Sequence, residues 1–198
     1  MITRRDIRSF GLTDRYDLGR LLQQYELLCG AEIGVLEGEF SSNLRRHYYG
    51  TLYLVDAWKH LDNYIDVENV EQGKMDQRHL MVQRMFLGDL STRIIRAMSV
   101  EAATIFEPNS LDWVYIDADH SAPGVQADLD AWVPKVRTGG LICGHDYIDS
   151  KIAGPDGKWI DFMEVKSIVD AYAAARGVRV VILDPASEYA SWCIIKTW

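Results

Sequence analysis

Cysteine is scarce in this chain and poorly placed for cross-linking: Cys29, Cys143 and Cys193 stand far apart in 198 residues. With no CxxC pair and no Cys/His ligand spacing, neither a disulfide framework nor a zinc site is signalled. Long hydrophobic runs are also missing. No stretch approaches the ~18 apolar residues of a bilayer span, and the opening MITRRDIRSFGLTDRYD has arginines without an apolar stretch behind them, unlike a secretory leader. Positive charge is in deficit as well. Twenty-one Lys and Arg against 29 Asp and Glu leave a net charge of −8, so no global field attracts nucleic acid or anionic lipid. The clusters Thr3-Arg4-Arg5 and Arg45-Arg46-His47 are smaller than a polyanion footprint and read as solvated surface. These absences point to a cytoplasmic globule with neither a membrane nor a nucleic-acid partner.

What is present suits one domain, residues 1–198, because 48% hydrophobic residues supply a sizeable core. Leu18, Leu21, Leu22, Tyr25 and Leu28 repeat at helical spacing and form the centre of a helical segment over residues 1–30. AEIGV reads as a first strand, followed by a glycine turn and a helix over residues 41–48. TLYLVDAW is a second strand. Residues 60–77 read as a long loop with partial helix, and RMFLGD (residues 84–89) as a third strand before a helix carrying Ile94, Ile95 and Met98, capped by Ser91. LDWVYIDADH is a fourth strand ending in polar residues. The next helix, capped by Ser121, carries Val125, Leu129, Trp132, Val133 and Val136, and Pro134 should loosen its last turn. GGLICGHDY is a fifth strand. Residues 148–160 read as a loop, and Phe162, Val165, Ile168, Val169 and Tyr172 as a helix stripe. VRVVILD and SWCIIKTW close the chain with no helix between them, which predicts an antiparallel pair. Five strands each followed by a helix predict an α/β fold: a doubly wound, mostly parallel seven-stranded sheet with a C-terminal antiparallel hairpin.

Ligands of such sheets bind beyond the carboxyl ends of the strands. There the sequence places Gly34, Glu37, Gly38 and Ser41, then Asp56 with Trp58, then Asp89, then Asp117, Asp119 and His120, and finally His145, Asp146 and Tyr147. The first turn is G-x-x-x-G and not the G-x-G-x-x-G of dinucleotide folds. Its Glu37 and Glu39 put negative charge where a diphosphate would sit on a helix N-terminus. A ligand with a cationic centre and a ribose suits it better, with Asp56 accepting both ribose hydroxyls.

The segments EIGVLEGEFSSNL, LYLVDAW, FLGDLS, LDWVYIDADHSAPGVQADLDAWVPKVRTGGLICGHDY and the closing hairpin, taken in order, resemble a class I S-adenosylmethionine-dependent methyltransferase of the methyltransferase family 24 type, related to the catechol-type and macrolide-sugar O-methyltransferases. The resemblance covers residues 31–198 and is most specific over residues 111–147. It implies S-adenosyl-L-methionine as cofactor, with Glu32, Gly34, Gly38 and Ser41 lining its methionine portion and ribose. Both glycines would be required because a side chain there would strike the cofactor. It implies Asp56 on the ribose diol, Asp89 with Leu90 at the adenine, and Asp117 near the methionine amino group and sulfonium. His120, three residues past Asp117, matches the family's general base, and a free imidazole pKa near 6.5 suits that task. Asp117 and Asp146 match two ligands of the magnesium ion in the catechol-type enzymes. The following amide ligand is here Tyr147, a departure that Asp119 or His145 could offset.

The implied activity is O-methylation of a small-molecule hydroxyl, with a sugar-containing metabolite as the best-suited acceptor. Trp58, His145 and Tyr147 are candidate substrate contacts, with Tyr64 and Trp159 as further aromatic faces over residues 60–77 and 148–160. The helix around Leu18 could also serve a homo-oligomer interface. Two other readings remain open at this level: a nicotinamide-dependent Rossmann oxidoreductase, and a non-catalytic methyltransferase-like binding module.

Overall fold

The computed structural model describes residues 2–12, 14–62, 64–153 and 158–198. Short β-branched and aromatic runs become five parallel strands: β1 (Cys29–Ile33), β2 (Thr51–Asp56), β3 (Thr92–Arg96), β4 (Leu111–Ile116) and β5 (Val136–Gly144). With β8 (Val181–Ile182) and β9 (Trp192–Ile195) they form one seven-stranded sheet in the order β3-β2-β1-β4-β5-β9-β8. β9 runs antiparallel to both β5 and β8, as the helix-free closing segments require. All three cysteines are free; Cys143 and Cys193 face each other across β5 and β9.

Alternating burial splits the core into two layers. Leu52, Leu54, Trp113, Tyr115, Leu141 and Cys143 point to one face, where α1 (Arg4–Phe10), α2 (Leu18–Gln24), α3 (Glu39–Arg45) and α4 (Gln72–Met85) cover them. Val55, Val114, Ile116 and Ile142 point to the other, under α5 (Ser99–Ala103), α6 (Ala122–Trp132) and α7 (Val165–Ala175). Both faces are therefore dry, which is why these strands read as near-continuous apolar runs. Ser121 caps α6 by accepting from the Gly124 N–H at 3.3 Å, and Pro134 sits in a 3₁₀ turn, Val133–Lys135, after it.

Three local expectations are overturned. Residues 84–89 are not a strand: they hold the last turn of α4 and the turn after it, with Gly88 at φ +89°. The strand is instead Thr92–Arg96, where a helix was expected. Ile94 packs into one core layer and its neighbour Ile95 into the other, a division that a strand between two covered faces makes natural. Residues 60–77 hold the partial helix expected of them, since α4 starts at Gln72. In place of a loop over residues 148–160, β6 (Asp149–Ala153) and β7 (Trp159–Glu164) form a separate antiparallel ribbon. Phe162 accordingly lies on β7, and α7 starts only at Val165. The Gly154–Gly157 part of the expected loop lies outside the described residues.

Asp128 on α6 is a cost inside this core. Its Oδ1 accepts from Ser99 Oγ, whereas Oδ2 has no hydrogen-bond partner among the described residues. Burial pushes its pKa up to about 6 against the Ser99 hydrogen bond. A raised folded-state pKa gives stability that is full below the ordinary value of 3.8 and is lost as pH rises through about 6. Asp128→Asn is therefore expected to stabilise the protein by roughly 1 kcal/mol at pH 7.5 and to be neutral near pH 4. Urea unfolding at both pH values measures this; an equal effect at the two would show that charge is not the cause.

Candidate active site

The turn after β1 is built by the chain itself. Gly34 has φ +87°, and a Cβ there would lie 1.9 Å from the Asp117 carbonyl oxygen. Gly38 has φ +79° as the N-cap of α3, and its Cβ would come 3.3 Å from Val82 on α4. Gly34 is thus required first by a crossing of the chain, and Gly38 is favoured by its left-handed backbone, before any cofactor enters. Asp56, at the end of β2, holds this turn: its Oδ2 accepts from the Val35 and Leu36 N–H groups, each at 2.9 Å, and its Oδ1 from the Trp58 N–H at 2.6 Å. Beneath the turn Glu32 is 2% exposed and accepts from Ser41 Oγ at 2.5 Å; burial drives its carboxyl well above the usual range.

The ends of β4 and β5 bring Asp117, His120, His145 and Asp146 together. His120 Nε2 lies 2.9 Å from Asp146 Oδ2 and 3.5 Å from Asp117 Oδ1. Its Nδ1 faces Asp66 Oδ2 at 3.6 Å. His145 Nδ1 stands 3.2 Å from Asp146 Oδ1 and 3.9 Å from Asp117 Oδ1. Asp146 has φ +50°, an uncommon left-handed backbone for a non-glycine residue and one that marks functional sites more often than ordinary loops. Burial opposes charge on His120, but its hydrogen bonds to Asp117, Asp146 and Asp66 outweigh that and raise its pKa to about 12. Asp146 moves the opposite way: burial raises it, and His120 and His145 more than reverse the effect, holding it well below the carboxylate range. The imidazolium is the counter-charge of a nest of acids.

Asp117, His120 and Asp146 also offer three ligand atoms within 4.8 Å of one another. Two carboxylate oxygens and one imidazole nitrogen fit a divalent cation. With the histidine as ligand the set favours a transition metal, and with the carboxylates and water alone it suits magnesium.

Several expected site residues lie elsewhere. Asp89 and Leu90 are not brought to this cluster. They precede β3 at its amino end, where Asp89 accepts from Thr92 Oγ1 at 2.7 Å and pairs with Arg45 Nε at 3.1 Å, and Leu90 is 83% exposed. The misplacement follows from the misread third strand, whose carboxyl end presents Arg96, Ala97, Met98 and Ser99 instead. Arg45, expected as solvated surface, is half-buried and donates to Thr92 Oγ1 and to the carbonyls of Tyr48 and Gly50. Trp58 is buried, with Nε1 donating to the Leu36 carbonyl at 2.8 Å and its ring 4.6 Å from that of His79. Tyr147 turns its hydroxyl to Asp170 on α7, away from the place of a metal ligand. Trp159 is exposed on β7. Asp119 caps the next turn, accepting from the Ser121 N–H at 2.9 Å.

Two residues at the cluster escaped the sequence reading. Asp66 comes from residues 60–77, where no periodicity marked it. Arg15 comes from the N-terminal segment, and its Nη1 reaches Asp117 Oδ2 at 3.3 Å. Its signal would have been an arginine in a turn otherwise spent on capping, which is faint.

Residues 31–147 match the sequence model of the family described as "Methyltransferase domain", number 24 of that type. Solved structures share the whole fold at low identity. A Bacillus cereus O-methyltransferase in complex with S-adenosylhomocysteine is 16% identical with a TM-score of 0.61, the match covering 97% of this chain and 88% of that one. A Corynebacterium glutamicum protein is 18% identical with a TM-score of 0.61, over 98% and 88% of the two chains. No curated protein sequence matches. Among the described residues, no helix is long and apolar enough to cross a membrane.

Proposed function

The chain belongs to methyltransferase family 24, within the class I S-adenosylmethionine-dependent enzymes, and on that premise we propose that it methylates a hydroxyl oxygen of a small molecule, with His120 as general base. The observation that carries the reading is the position of His120 between Asp117 and Asp146 at the carboxyl ends of β4 and β5. When bound, S-adenosylmethionine would supply an electrophilic methyl on its sulfonium, a neutral thioether being the leaving group.

The chain's own residues must do the rest. Asp117 attracts the cationic methionine end of the cofactor. Asp56 holds the turn over which the ribose would lie, and its carboxylate retains lone pairs for a hydroxyl donor. Ala97 and Met98, just past the carboxyl end of β3, replace Asp89 and Leu90 as candidates for the adenine side, because ligands of such sheets bind beyond the strands' carboxyl ends. His120 Nε2 is placed to take the acceptor's proton as the oxygen attacks. It can do so only when its acids are otherwise neutralised, and a divalent cation held by Asp117 and Asp146 would provide that charge. A neutral, polyhydroxylated acceptor such as a sugar-containing metabolite suits the acidic surroundings, whereas an anionic one would be repelled.

Calorimetry with S-adenosylhomocysteine and with NADH tests the cofactor: binding of the former alone is expected, and binding of NADH alone would end this reading. Methyl-labelled S-adenosylmethionine offered with catechols and glycosides then tests the acceptor. Label in a base-stable methyl ether is the expected product; label only on nitrogen or sulfur acceptors would refute oxygen as the nucleophile.

A further inference from the structure

Arg15 is the unexplained charge in this site. It opens a 3₁₀ turn, Arg15–Asp17, whose N-cap Asp14 accepts from the Tyr16 N–H at 3.0 Å. Its side chain is 21% exposed, and its guanidinium carbon lies 5.3 Å from the Tyr16 ring centre and 5.6 Å from that of Phe40. Phe40 in turn stacks on Tyr115 of β4 at 4.1 Å. Tyr16 fastens the turn to α3 through a 2.9 Å hydrogen bond to Glu39. The N-terminal segment is therefore tied across the glycine turn, and it delivers one cation to Asp117.

Apart from the two histidines, the groups around that cation are acidic. Asp56, Asp66, Asp117 and Asp146 stand at or beside the ends of β2, β4 and β5, and His120 and His145 are already engaged by Asp146 and Asp117. Resting on the cofactor assignment above, the methionine end presents an ammonium, a sulfonium and a carboxylate. The acids suit the first two and repel the third. Among the described residues, Arg15 is the permanently charged cation that touches Asp117. Its planar fork carries five N–H donors matched to a carboxylate.

We propose that Arg15 binds the α-carboxylate of the cofactor's methionine moiety while Asp117 takes the ammonium, so that the N-terminal segment selects an intact amino-acid end. The Arg15–Asp117 pair of the free protein then opens into two parallel ion pairs with the zwitterion.

The test compares two ligands on two proteins by titration calorimetry: S-adenosylmethionine and its decarboxylated analogue, which keeps ammonium and sulfonium but has no carboxylate. Arg15→Met, which keeps a long side chain on the Phe40 ring, is expected to weaken S-adenosylmethionine about 10- to 100-fold and to leave the analogue within about threefold. Arg15→Lys should recover part of the loss by restoring the charge. Equal weakening of both ligands, or of neither, would overturn the carboxylate role. If wild-type protein binds neither ligand, the cofactor assignment itself fails and Arg15's role goes with it. Circular dichroism melts of both variants confirm folding, and if Arg15→Met unfolds, the Arg15→Lys and Arg15→Gln pair gives the same comparison.

Discussion

Gly34→Ala is expected to lower stability by roughly 3–5 kcal/mol and to abolish cofactor binding in whatever fraction remains folded. The added methyl would meet the carbonyl oxygen and carbon of Asp117 at 1.9 and 2.5 Å, and the Ala118 Cα at 2.8 Å. All three are backbone atoms of the adjacent strand end, so no rotamer change relieves them. β1 is locked to both of its neighbours at this point, since Asp117 N–H, at the end of β4, donates to the Ile33 carbonyl at 2.7 Å and Gly34 N–H donates to the Val55 carbonyl of β2 at 2.9 Å. Separating the strands would break those bonds and carry Asp117 away from His120. The φ of +87° adds strain for any L side chain. A thermal melt measures the effect, and for a domain of this size the loss corresponds to roughly 10–15 °C. A variant melting within a few degrees of wild type would mean that the crossing is looser than the distances state. Gly38→Ala should cost less, because its neighbours are the flexible ends of Val82 and Met85.

His120→Gln is expected to reduce methyl transfer by roughly 10²- to 10⁴-fold while leaving S-adenosylhomocysteine affinity within about threefold. Glutamine keeps a hydrogen-bond donor among Asp66, Asp117 and Asp146 but cannot accept a proton at neutral pH. Retained turnover would remove His120 from the reaction. A second consequence concerns pH. The folded-state pKa of about 12 lies above the ordinary 6.5, so pairing with the acids stabilises fully below pH 6.5 and fades as pH climbs toward 12. The stability lost in His120→Gln should accordingly be larger at pH 6 than at pH 9 in urea unfolding. The same clamp predicts slow transfer at neutral pH without a divalent cation and a rising rate in alkali. Added Mg²⁺ or Mn²⁺ should move that rise to lower pH; an unchanged profile would remove the cation from the reaction.

The sheet was legible because its strands are buried on both faces and its helices on one. The apolar runs of β1, β2, β4 and β5 and the stripe of α6 carry that difference directly. The third strand was not legible. RIIR is short and its two isoleucines serve opposite faces, whereas RMFLGD has strand-like composition but lies where a helix stops at a left-handed glycine. Ribbon β6–β7 failed for a related reason: its pairing is a contact between segments, and neither segment alternates cleanly.

By itself the sequence determined the α/β class, the antiparallel closing pair, and the places where Asp56, Asp117, His120 and Asp146 stand, because strand ends are fixed by local patterning. Only the tertiary structure decided what those groups do to one another. Asp56 is spent partly on the turn, Asp89 is turned away with the misread strand, and Asp66 and Arg15 arrive from distant segments without a local signal. His120 becomes a clamped cation for the same reason. Its pKa depends on three carboxylates within 3.6 Å, and electrostatic coupling falls with distance through space and does not follow separation along the chain.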